Sequence, residues 1–374
     1  MIDVMLWMVL SLLILVGFLL LSLRRVLIRW FVGLLIILSG CLVVSNLSRG
    51  IPNIIIPTIR DEGFFETFLI EWREEFSGCH LIIVEDRKKA ILNNALKHYS
   101  KCHNYSYEIW DWNSIDKKLG KNKWIIPRKS SAIRSFGYLM AYHNNAKFIL
   151  TLDDDTKPSD KGHVASHYNN LFNCKTNTDE RFYNTLKSMP SRGTMEDSRQ
   201  VIAISHGGWI NVPDLCAEVQ LKEESPKIEK KDFNEGLIPF GAYFGMCGMN
   251  LAFKTSMVPY MYFGLQGHIL DGKELVELPI NRCDDIWAGY YAKKICDGIG
   301  YRCHTGKPYV VHNRASNVWS NLKMEENANS MGSEWLSYVN DDVSESSLVE
   351  GNSYWGKLLN AYDVWEDLCE DNKP

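Results

Sequence analysis

The chain has 374 residues, of which 41 are Lys or Arg and 45 are Asp or Glu, giving a formal net charge of −4. The first fifty residues hold four of the basic and one of the acidic residues, which leaves 37 basic against 44 acidic residues elsewhere. A mildly acidic domain excludes nucleic acid as a partner. About 320 residues can bury one large core or two closely joined ones.

The first fifty residues are much more apolar than the rest. Residues 5–23 are almost wholly apolar, three arginines follow between positions 24 and 29, and residues 30–44 are apolar again. A helix needs about 20 apolar residues to cross a membrane. We therefore predict that residues 1–50 are a membrane anchor with one or two transmembrane helices.

The side of the membrane that carries the remaining domain stays open. Two spans would put the arginines in the cytoplasm and the domain on the opposite face, whereas one span would keep the domain in the cytoplasm. The predicted location is the Golgi or another endomembrane in a eukaryote, or the inner membrane in a bacterium.

The predicted main domain, residues 51–320, begins with a strand, a helix and a strand. Residues 51–56 and 80–84 are short apolar runs, and residues 62–76 carry apolar side chains at helical spacing. Fully apolar strands around a helix are typical of a sheet that is covered on both faces. The pattern predicts an α/β fold with a mixed, mostly parallel sheet flanked by helices.

Polar residues follow both of these strands. Pro57, Thr58 and Arg60 come after the first strand, and Asp86 comes after the second. Because α/β sheets bind ligands at the carboxyl ends of their strands, these four are candidate substrate-binding residues. Arg60 suits a phosphate, and Asp86 suits a base or ribose. A surface ion pair for Arg60 and a turn or capping role for Asp86 are the alternatives.

Residues 129–143 are predicted to form a helix that leads into the next strand. Its amino end then lies at the same sheet edge, where helix N–H groups can bind phosphate. Arg134 is the candidate phosphate contact, and a place on a solvated helix face is its alternative.

Three consecutive carboxylates, Asp153, Asp154 and Asp155, follow the apolar run 146–152. In an extended chain the outer two lie on one side and the middle one on the other. Carboxylate oxygens bind hard divalent cations, which can neutralise a departing diphosphate. We predict that Asp153 and Asp155 bind metal and that Asp154 contacts the substrate of a sugar-nucleotide enzyme. An acidic solvated turn is the alternative.

Later segments supply further candidates. Gly248 suggests a close approach of the backbone to the sugar, with tight packing as the alternative. Asp284 and Asp285 precede a predicted helix over residues 286–295, where they can cap the helix or perform acid–base chemistry on the sugar. His312 follows a strand-like run and is the predicted third metal ligand, since imidazole binds manganese.

Residues 321–374 are predicted to form a polar linker and a C-terminal helix. Residues 324–348 are rich in Asn, Ser, Glu and Asp, and residues 354–368 carry apolar side chains at helical spacing.

Ten sequence blocks in order resemble the reversibly glycosylated polypeptides, the plant UDP-arabinopyranose mutase family. The resemblance covers roughly residues 52–365. The blocks are Ile-Pro-Thr-Ile-Arg (56–60), Leu-Ile-Ile-Val-Glu-Asp (81–86), Phe-Gly-Tyr (136–138), Leu-Asp-Asp-Asp (152–155), Ser-His-Gly-Gly-Trp-Ile-Asn-Val-Pro-Asp (205–214), Met-Cys-Gly-Met-Asn-Leu-Ala-Phe (246–253), Met-Tyr-Phe-Gly-Leu (261–265), Arg-Cys-Asp-Asp-Ile-Trp-Ala-Gly (282–289), Thr-Gly-Lys-Pro-Tyr (305–309) and His-Asn-Arg-Ala-Ser-Asn (312–317).

The resemblance implies a GT-A-like fold, a UDP-sugar substrate and a divalent cation, Mn²⁺ or Mg²⁺. It also implies reversible glycosylation of an arginine. Arg192 and Arg199 have the family's spacing of two arginines, although the aromatic and Pro residues usual between them are missing. An exposed loop is the alternative reading of this segment. The membrane anchor is a departure, since the plant proteins are soluble and associate peripherally with the Golgi surface.

We therefore expect a mutase that interconverts UDP-arabinopyranose and UDP-arabinofuranose for cell-wall or surface polysaccharide synthesis, with catalytic roles for Arg192, Arg199, Asp284 and Asp285. It is expected to associate with itself or with related proteins. A membrane-anchored, metal-dependent glycosyltransferase and a non-catalytic UDP-sugar-binding scaffold are the alternatives.

Overall fold

A computed structural model describes residues 50–174, 201–212, 214–222, 227–313 and 317–370. The predicted anchor up to residue 49 and the predicted catalytic residues Arg192 and Arg199 lie outside these ranges. Within these ranges, no helix has the length and apolar character that crossing a membrane requires.

The described residues form eleven strands, most of which belong to one sheet. The strands are β1 (Asn53–Thr58), β2 (His80–Glu85), β3 (Ser106–Trp110), β4 (Phe148–Leu152), β5 (Thr156–Pro158), β6 (Val201–Asn211), β7 (Gly236–Leu237), β8 (Asn250–Lys254), β9 (His268–Asp271), β10 (Glu274–Glu277) and β11 (Tyr301–His312).

Ten α-helices and four short 3₁₀ helices are also found in the described residues. The α-helices are α1 (Glu62–Trp72), α2 (Asn93–His103), α3 (Trp112–Leu119), α4 (Arg134–His143), α5 (His163–Phe172), α6 (Ala217–Lys222), α7 (Asp284–Gly298), α8 (Val318–Val339), α9 (Glu345–Gly351) and α10 (Ser353–Glu370). The 3₁₀ helices are Gly120–Ile125, Ser131–Ile133, Lys230–Asp232 and Thr255–Tyr260.

The main sheet has the strand order β3-β2-β1-β4-β8-β6-β11-β5, with β7 also paired to β11. β3, β2, β1 and β4 are neighbours in parallel, and β8 is antiparallel to both β4 and β6. β11 is parallel to β6 and antiparallel to β5 and β7. β1, β2, β3, β4, β6 and β11 therefore run one way and β5, β7 and β8 the other, which confirms a mixed, mostly parallel sheet.

Helices cover both faces of this sheet. Ile54 and Ile56 of β1 share a buried apolar cluster with Phe68 of α1, whereas Ile55 shares the opposite cluster with Phe136 of α4. Both kinds of position along β1 are therefore buried, which explains the unbroken apolar run in the sequence. The predicted sheet with helices on both faces is confirmed.

The C-terminal helices pack against the body of the domain. The rings of Trp335 in α8 and Trp355 in α10 stack on Trp287 of α7, with centroid distances of 6.0 and 5.5 Å. The structure thus differs from the predicted polar linker, because α8 buries Trp335 and Val339 on a face that its many Asn, Ser and Glu residues obscure in the sequence.

The strand order gathers distant segments at one edge of the sheet. β1, β4, β6 and β11 run in the same direction and end there, while the antiparallel β8 begins there. This brings together Arg60, the carboxylates 153–155, Asp214, residues 246–249 and His312. The topology therefore builds a polar edge from parts of the chain that are far apart in sequence.

Candidate functional site

Two joined cavities open at this edge. The strand-edge cavity, with a volume of about 390 Å³, is lined by residues 57–60, 129–131 and 153–155 together with Asp86, Ile133 and Arg134. The wide cavity, of about 660 Å³, shares Arg60, Asp153 and Asp155 with it and extends to His312 and α7. Together they form a cleft large enough for a ligand with two chemically different halves.

Asp154 holds Arg60 in the strand-edge cavity. Thr58 Oγ1 donates to Asp154 Oδ2 at 2.6 Å, and Arg60 Nε donates to Asp154 Oδ1 at 3.2 Å. The Arg60 guanidinium also lies 3.8 Å from Asp155 Oδ2. Burial raises the pKa of Asp154, whereas Thr58 and Arg60 counteract this rise. Asp154 therefore orients the Arg60 guanidinium at the cavity wall, on the same side as Asp155, which contacts the same guanidinium.

Arg134 is buried rather than presented to a phosphate. Its side chain is 3% exposed and donates from Nη2 to Asp153 Oδ1 at 2.7 Å. Nη1 donates to Gly248 O at 2.6 Å and Thr151 Oγ1 at 3.1 Å, and Nε donates to Ser131 O at 3.0 Å. Four of the five N–H groups are thus engaged within the protein, so the expected phosphate contact is replaced by a structural role.

His312 and Asp155 face one another across the cleft. His312 Nε2 lies 4.0 Å from Asp155 Oδ2, and Nδ1–H donates to Val212 O at 3.0 Å. That hydrogen bond leaves the Nε2 lone pair available as a metal ligand. Burial, followed by the charge of Asp153, raises the pKa of Asp155 to about 7.

The donor set fits a divalent cation chemically, although the side chains are not gathered around one point. Within the described ranges, no three His, Cys, Asp or Glu side chains are grouped closely enough to hold a metal ion. Asp153 is turned toward Arg134 by its ion pair. Asp155, whose pKa burial raises, nevertheless lies beside the Nε2 lone pair of His312, an arrangement that a cation would stabilise.

Asp86 and Gly248 both make contacts within the protein, and Asp86 also lines the strand-edge cavity, where its substrate contact stays a prediction. Asp86 accepts hydrogen bonds from Trp112 Nε1 at 2.7 Å and from Ser130 N at 3.1 Å, which fixes the turn before α4. A Cβ atom on Gly248 would lie 2.8 Å from Nη1 of Arg134. Gly248 is therefore required by the close approach of Arg134, as the alternative to sugar contact proposed.

Asp284 and Asp285 lie at the amino end of α7, as predicted, although the helix begins two residues earlier than expected and includes them, and they face different partners. Ser131 Oγ lies within 3.0 Å of both oxygens of Asp284, whereas Asp285 Oδ2 accepts from Gly248 N at 2.9 Å. Burial, then the charges of Asp284 and Asp214, raise the pKa of Asp285 to about 7. Asp285 lines the wide cavity as a carboxyl group suited to acid–base work.

The sequence interpretation missed several residues of the cleft. Lys129 lies exposed in both cavities with a left-handed φ of 54°, just before the predicted helix becomes regular at Arg134. Asp214 and Cys247 line the wide cavity. Asp214 is the last residue of the sequence block 205–214. Its position after a long strand could have identified it as a candidate site residue. Cys247 gave no signal beyond its two neighbouring glycines.

Comparison with known proteins gives a consistent result over most of the chain. A sequence model described as reversibly glycosylated polypeptide matches residues 50–349. UDP-arabinopyranose mutase 3 of Arabidopsis thaliana is 38% identical over 291 residues, covering 74% of this chain and 74% of its own. Probable UDP-arabinopyranose mutase 4 of the same plant is 33% identical over 360 residues, covering 86% of this chain and 91% of its own.

Similarity to solved structures is weaker. Glucosyl-3-phosphoglycerate synthase of Mycobacterium tuberculosis, in complex with Mn²⁺, UDP and glucosyl-3-phosphoglycerate, is 7% identical, with a TM-score of 0.44. The match covers 78% of this chain and 81% of that protein. A likeness this distant says nothing about the activity.

Proposed function

Because the chain belongs to the reversibly glycosylated polypeptide family, we propose that it is a mutase that interconverts UDP-arabinopyranose and UDP-arabinofuranose. The observation that carries the proposal is its similarity, over about three quarters of its length, to a relative named for that activity. The described part of the cleft supplies matching chemistry. The Arg60 guanidinium and several carboxylates lie at the strand edge, and buried carboxyl groups lie in the wide cavity.

We place the diphosphate of the substrate at the strand-edge cavity of a GT-A-like fold. Arg60, held by Asp154 and Asp155, is the side chain that faces it. Asp153, Asp155 and His312 are the proposed ligands of Mn²⁺ or Mg²⁺. When bound, such an ion would neutralise the negative charge that develops on the departing diphosphate. The raised pKa of Asp155 supports the need for a positive charge at this point.

The sugar then occupies the wide cavity between the strand edge and α7. Ring contraction moves protons between sugar hydroxyl groups, so it needs an acid and a base close to the ring. Asp285, at the first turn of α7 and with a pKa near 7, suits this requirement. Asp284, which is hydrogen-bonded to Ser131, supports the same wall of the cavity.

The remaining parts of the proposal concern residues outside the described ranges. Reversible glycosylation is proposed for Arg192, with Arg199 beside it. Residues 1–50 are proposed to attach the protein to a Golgi or other endomembrane, where related chains join it in an oligomer. Their support is the sequence pattern alone.

The test is chromatography of the products formed when the full-length protein in detergent is incubated with UDP-arabinopyranose and Mn²⁺. We expect UDP-arabinofuranose, and we expect Asp155→Asn to reduce its rate of formation about 100-fold or more because charge stabilisation at the diphosphate is lost. Asp271→Asn is the matched control, since Asp271 is 63% exposed and pairs only at the surface with Lys357. Unchanged UDP-arabinopyranose with wild-type protein, or UDP release that requires an added acceptor, would contradict the proposal.

A further inference from the structure

Two consecutive residues before β8 hold two carboxyl groups of the wide cavity. The Cys247 thiol donates to Asp214 Oδ2 at 2.9 Å, and the Gly248 N–H donates to Asp285 Oδ2 at 2.9 Å. Asp214, Cys247 and Asp285 all line the cavity. A ligand in this cavity therefore meets two carboxyl groups fixed by neighbouring points of one chain segment.

The segment is itself anchored on both sides. Cys247 N donates to Nε2 of the buried His206 at 3.1 Å, and Nδ1 of His206 pairs with Thr305 Oγ1 at 3.0 Å. On the other side, Arg134 donates to Gly248 O at 2.6 Å. Anchored groups need little reorganisation during a reaction, which is what catalytic carboxyl groups require.

The two carboxyl groups are in unequal surroundings. Asp285 is buried and lies near the negative charges of Asp284 and Asp214. Both effects favour its protonated form near neutral pH. Asp214 is one of the charges that produce this effect, and it accepts a hydrogen bond from the neutral thiol of Cys247. A buried carboxyl group of raised pKa and a second carboxyl group fixed by a hydrogen bond in the same cavity can act together as an acid and a base.

We propose that Asp214 is a second catalytic residue of the sugar half of the cleft, acting as the base while Asp285 acts as the acid in ring contraction. This inference rests on the proposed mutase function. Asp284 is less suited to either role, since it is 5% exposed and its oxygens face the Ser131 hydroxyl.

In the direction from pyranose to furanose, the Asp285 carboxylic acid supplies one proton and the Asp214 carboxylate takes one up. The bond between C1 and the ring oxygen O5 breaks, its electron pair goes to O5, and the Asp285 carboxylic acid gives O5 its proton. Outside the ring, C1 is bonded either to a nitrogen of a protein nucleophile or to an oxygen of the diphosphate. A lone pair on that atom forms a second bond to C1 and replaces the bond that was lost. The O4 hydroxyl then gives its proton to the Asp214 carboxylate, O4 bonds to C1, and the lone pair returns.

After this step the pair holds the same single proton, now on Asp214 instead of Asp285. Return of the proton to Asp285 through a hydroxyl group or a water molecule restores the starting state. The reverse reaction uses the two residues in exchanged roles. The chemistry therefore needs neither an oxidant nor another co-reactant.

The test separates cleavage of the bond to UDP from ring contraction. UDP-arabinopyranose carries ¹⁸O in the oxygen between C1 and the β-phosphate, and phosphorus NMR follows movement of the label to non-bridging positions. Chromatography of the same samples measures furanose. For full-length Asp214→Asn we expect label movement within about threefold of wild type and furanose formation reduced about 100-fold or more, the usual size of an acid–base contribution.

Cys247→Ala distinguishes catalysis from positioning. Asparagine at position 214 can still accept the thiol hydrogen bond, whereas Cys247→Ala removes that bond and keeps the Asp214 carboxylate. We expect Cys247→Ala to reduce furanose formation clearly less than Asp214→Asn does, because it removes an anchor of the carboxylate but keeps the base, whereas the surface control Asp271→Asn should keep furanose formation within about tenfold of wild type.

Wild-type protein that forms furanose while Asp214→Asn does so equally fast would overturn this inference and leave the proposed function standing. An equal loss in Cys247→Ala and Asp214→Asn would overturn it as well, because Asp214 would then act through the thiol. Wild-type protein that forms no furanose would overturn the proposed function and this inference together.

Discussion

At the scale of single residues, some side chains that the sequence suggests as ligand contacts form hydrogen bonds that orient other side chains. Asp154 fixes Arg60, and Arg134 ties Asp153 to the carbonyl oxygen of Gly248. The sequence indicates the type of each residue and its approximate place at a strand or helix end. It does not give the partner, because the partners Arg134 and Gly248 lie 114 positions apart.

Replacing Gly248 with alanine tests this division of roles. The added Cβ would lie 2.8 Å from Arg134 Nη1 and 3.2 Å from the ring of Phe263, so we expect the free energy of unfolding to fall by about 1–3 kcal/mol. Urea denaturation measures this change. Gly298→Ala is the control, since a Cβ there has no heavy atom within 4 Å and alanine favours a helix. Equal stability of the two variants would contradict the packing role.

At the scale of elements, α5 joins the sheet through a buried network of neutral histidines. Nε2 of both His163 and His167 lies 2.9 Å from Asn250 Oδ1 in β8, and His167 Nδ1 pairs with Ser205 Oγ in β6. A carbonyl oxygen can only accept, so both rings donate from Nε2. Burial lowers the pKa of His163 to about 4.

This network predicts a loss of stability in acid. Because the pKa of His163 falls from about 6.5 in the unfolded chain to about 4 in the folded one, the unfolded chain binds more protons between these values. The contribution is present above pH 6.5 and is lost as the pH falls toward 4, by up to about 1.4 kcal/mol per pH unit for one histidine. Urea denaturation at several pH values measures it.

His163→Gln is the matched variant for this prediction. Glutamine keeps an N–H donor for Asn250 but does not titrate, so its stability should fall less between pH 6.5 and pH 4 than that of the wild type. Parallel pH profiles for the two proteins would show that His163 does not contribute.

The elements themselves were easier to predict than their arrangement. Apolar runs identified β1, β2 and β4 because both faces of these strands are buried. The insertion of β8 between β4 and β6 has no local signal, since strand order depends on contacts between distant segments. For the same reason, the sequence placed Asp285 at a helix end but gave no sign that Asp214 and Cys247 would lie beside it.

At the scale of the whole molecule, the C-terminal helices are part of the domain that carries the cleft. Trp355 of α10 is fully buried and contacts both Trp335 of α8 and Trp287 of α7, which also contact each other. This packing could not be predicted from the polar composition of residues 324–348, because a small number of apolar side chains on one face is enough to dock a helix. The helix α7, which begins with Asp284 and Asp285, is therefore stabilised by contacts with α8 and α10.

Truncating Trp355 tests this support. We expect Trp355→Ala to lower the free energy of unfolding by about 3–5 kcal/mol, as is usual for a buried large aromatic side chain. Trp319→Ala is the control, since Trp319 is 69% exposed in the same group of helices and should change stability by less than about 0.5 kcal/mol. Differential scanning calorimetry compares the two, and equal melting temperatures would contradict the prediction.

The long sequence separations within the cleft also bear on biosynthesis. Thr58 reaches Asp154 across 96 positions, Ser131 reaches Asp284 across 153, and α7 packs on aromatic rings that follow it by 48 and 68 positions. A chain still on the ribosome lacks part of this set until its last helix has emerged. The cleft therefore cannot be complete before residue 355 has been synthesised, because the ring of Trp355 packs on α7.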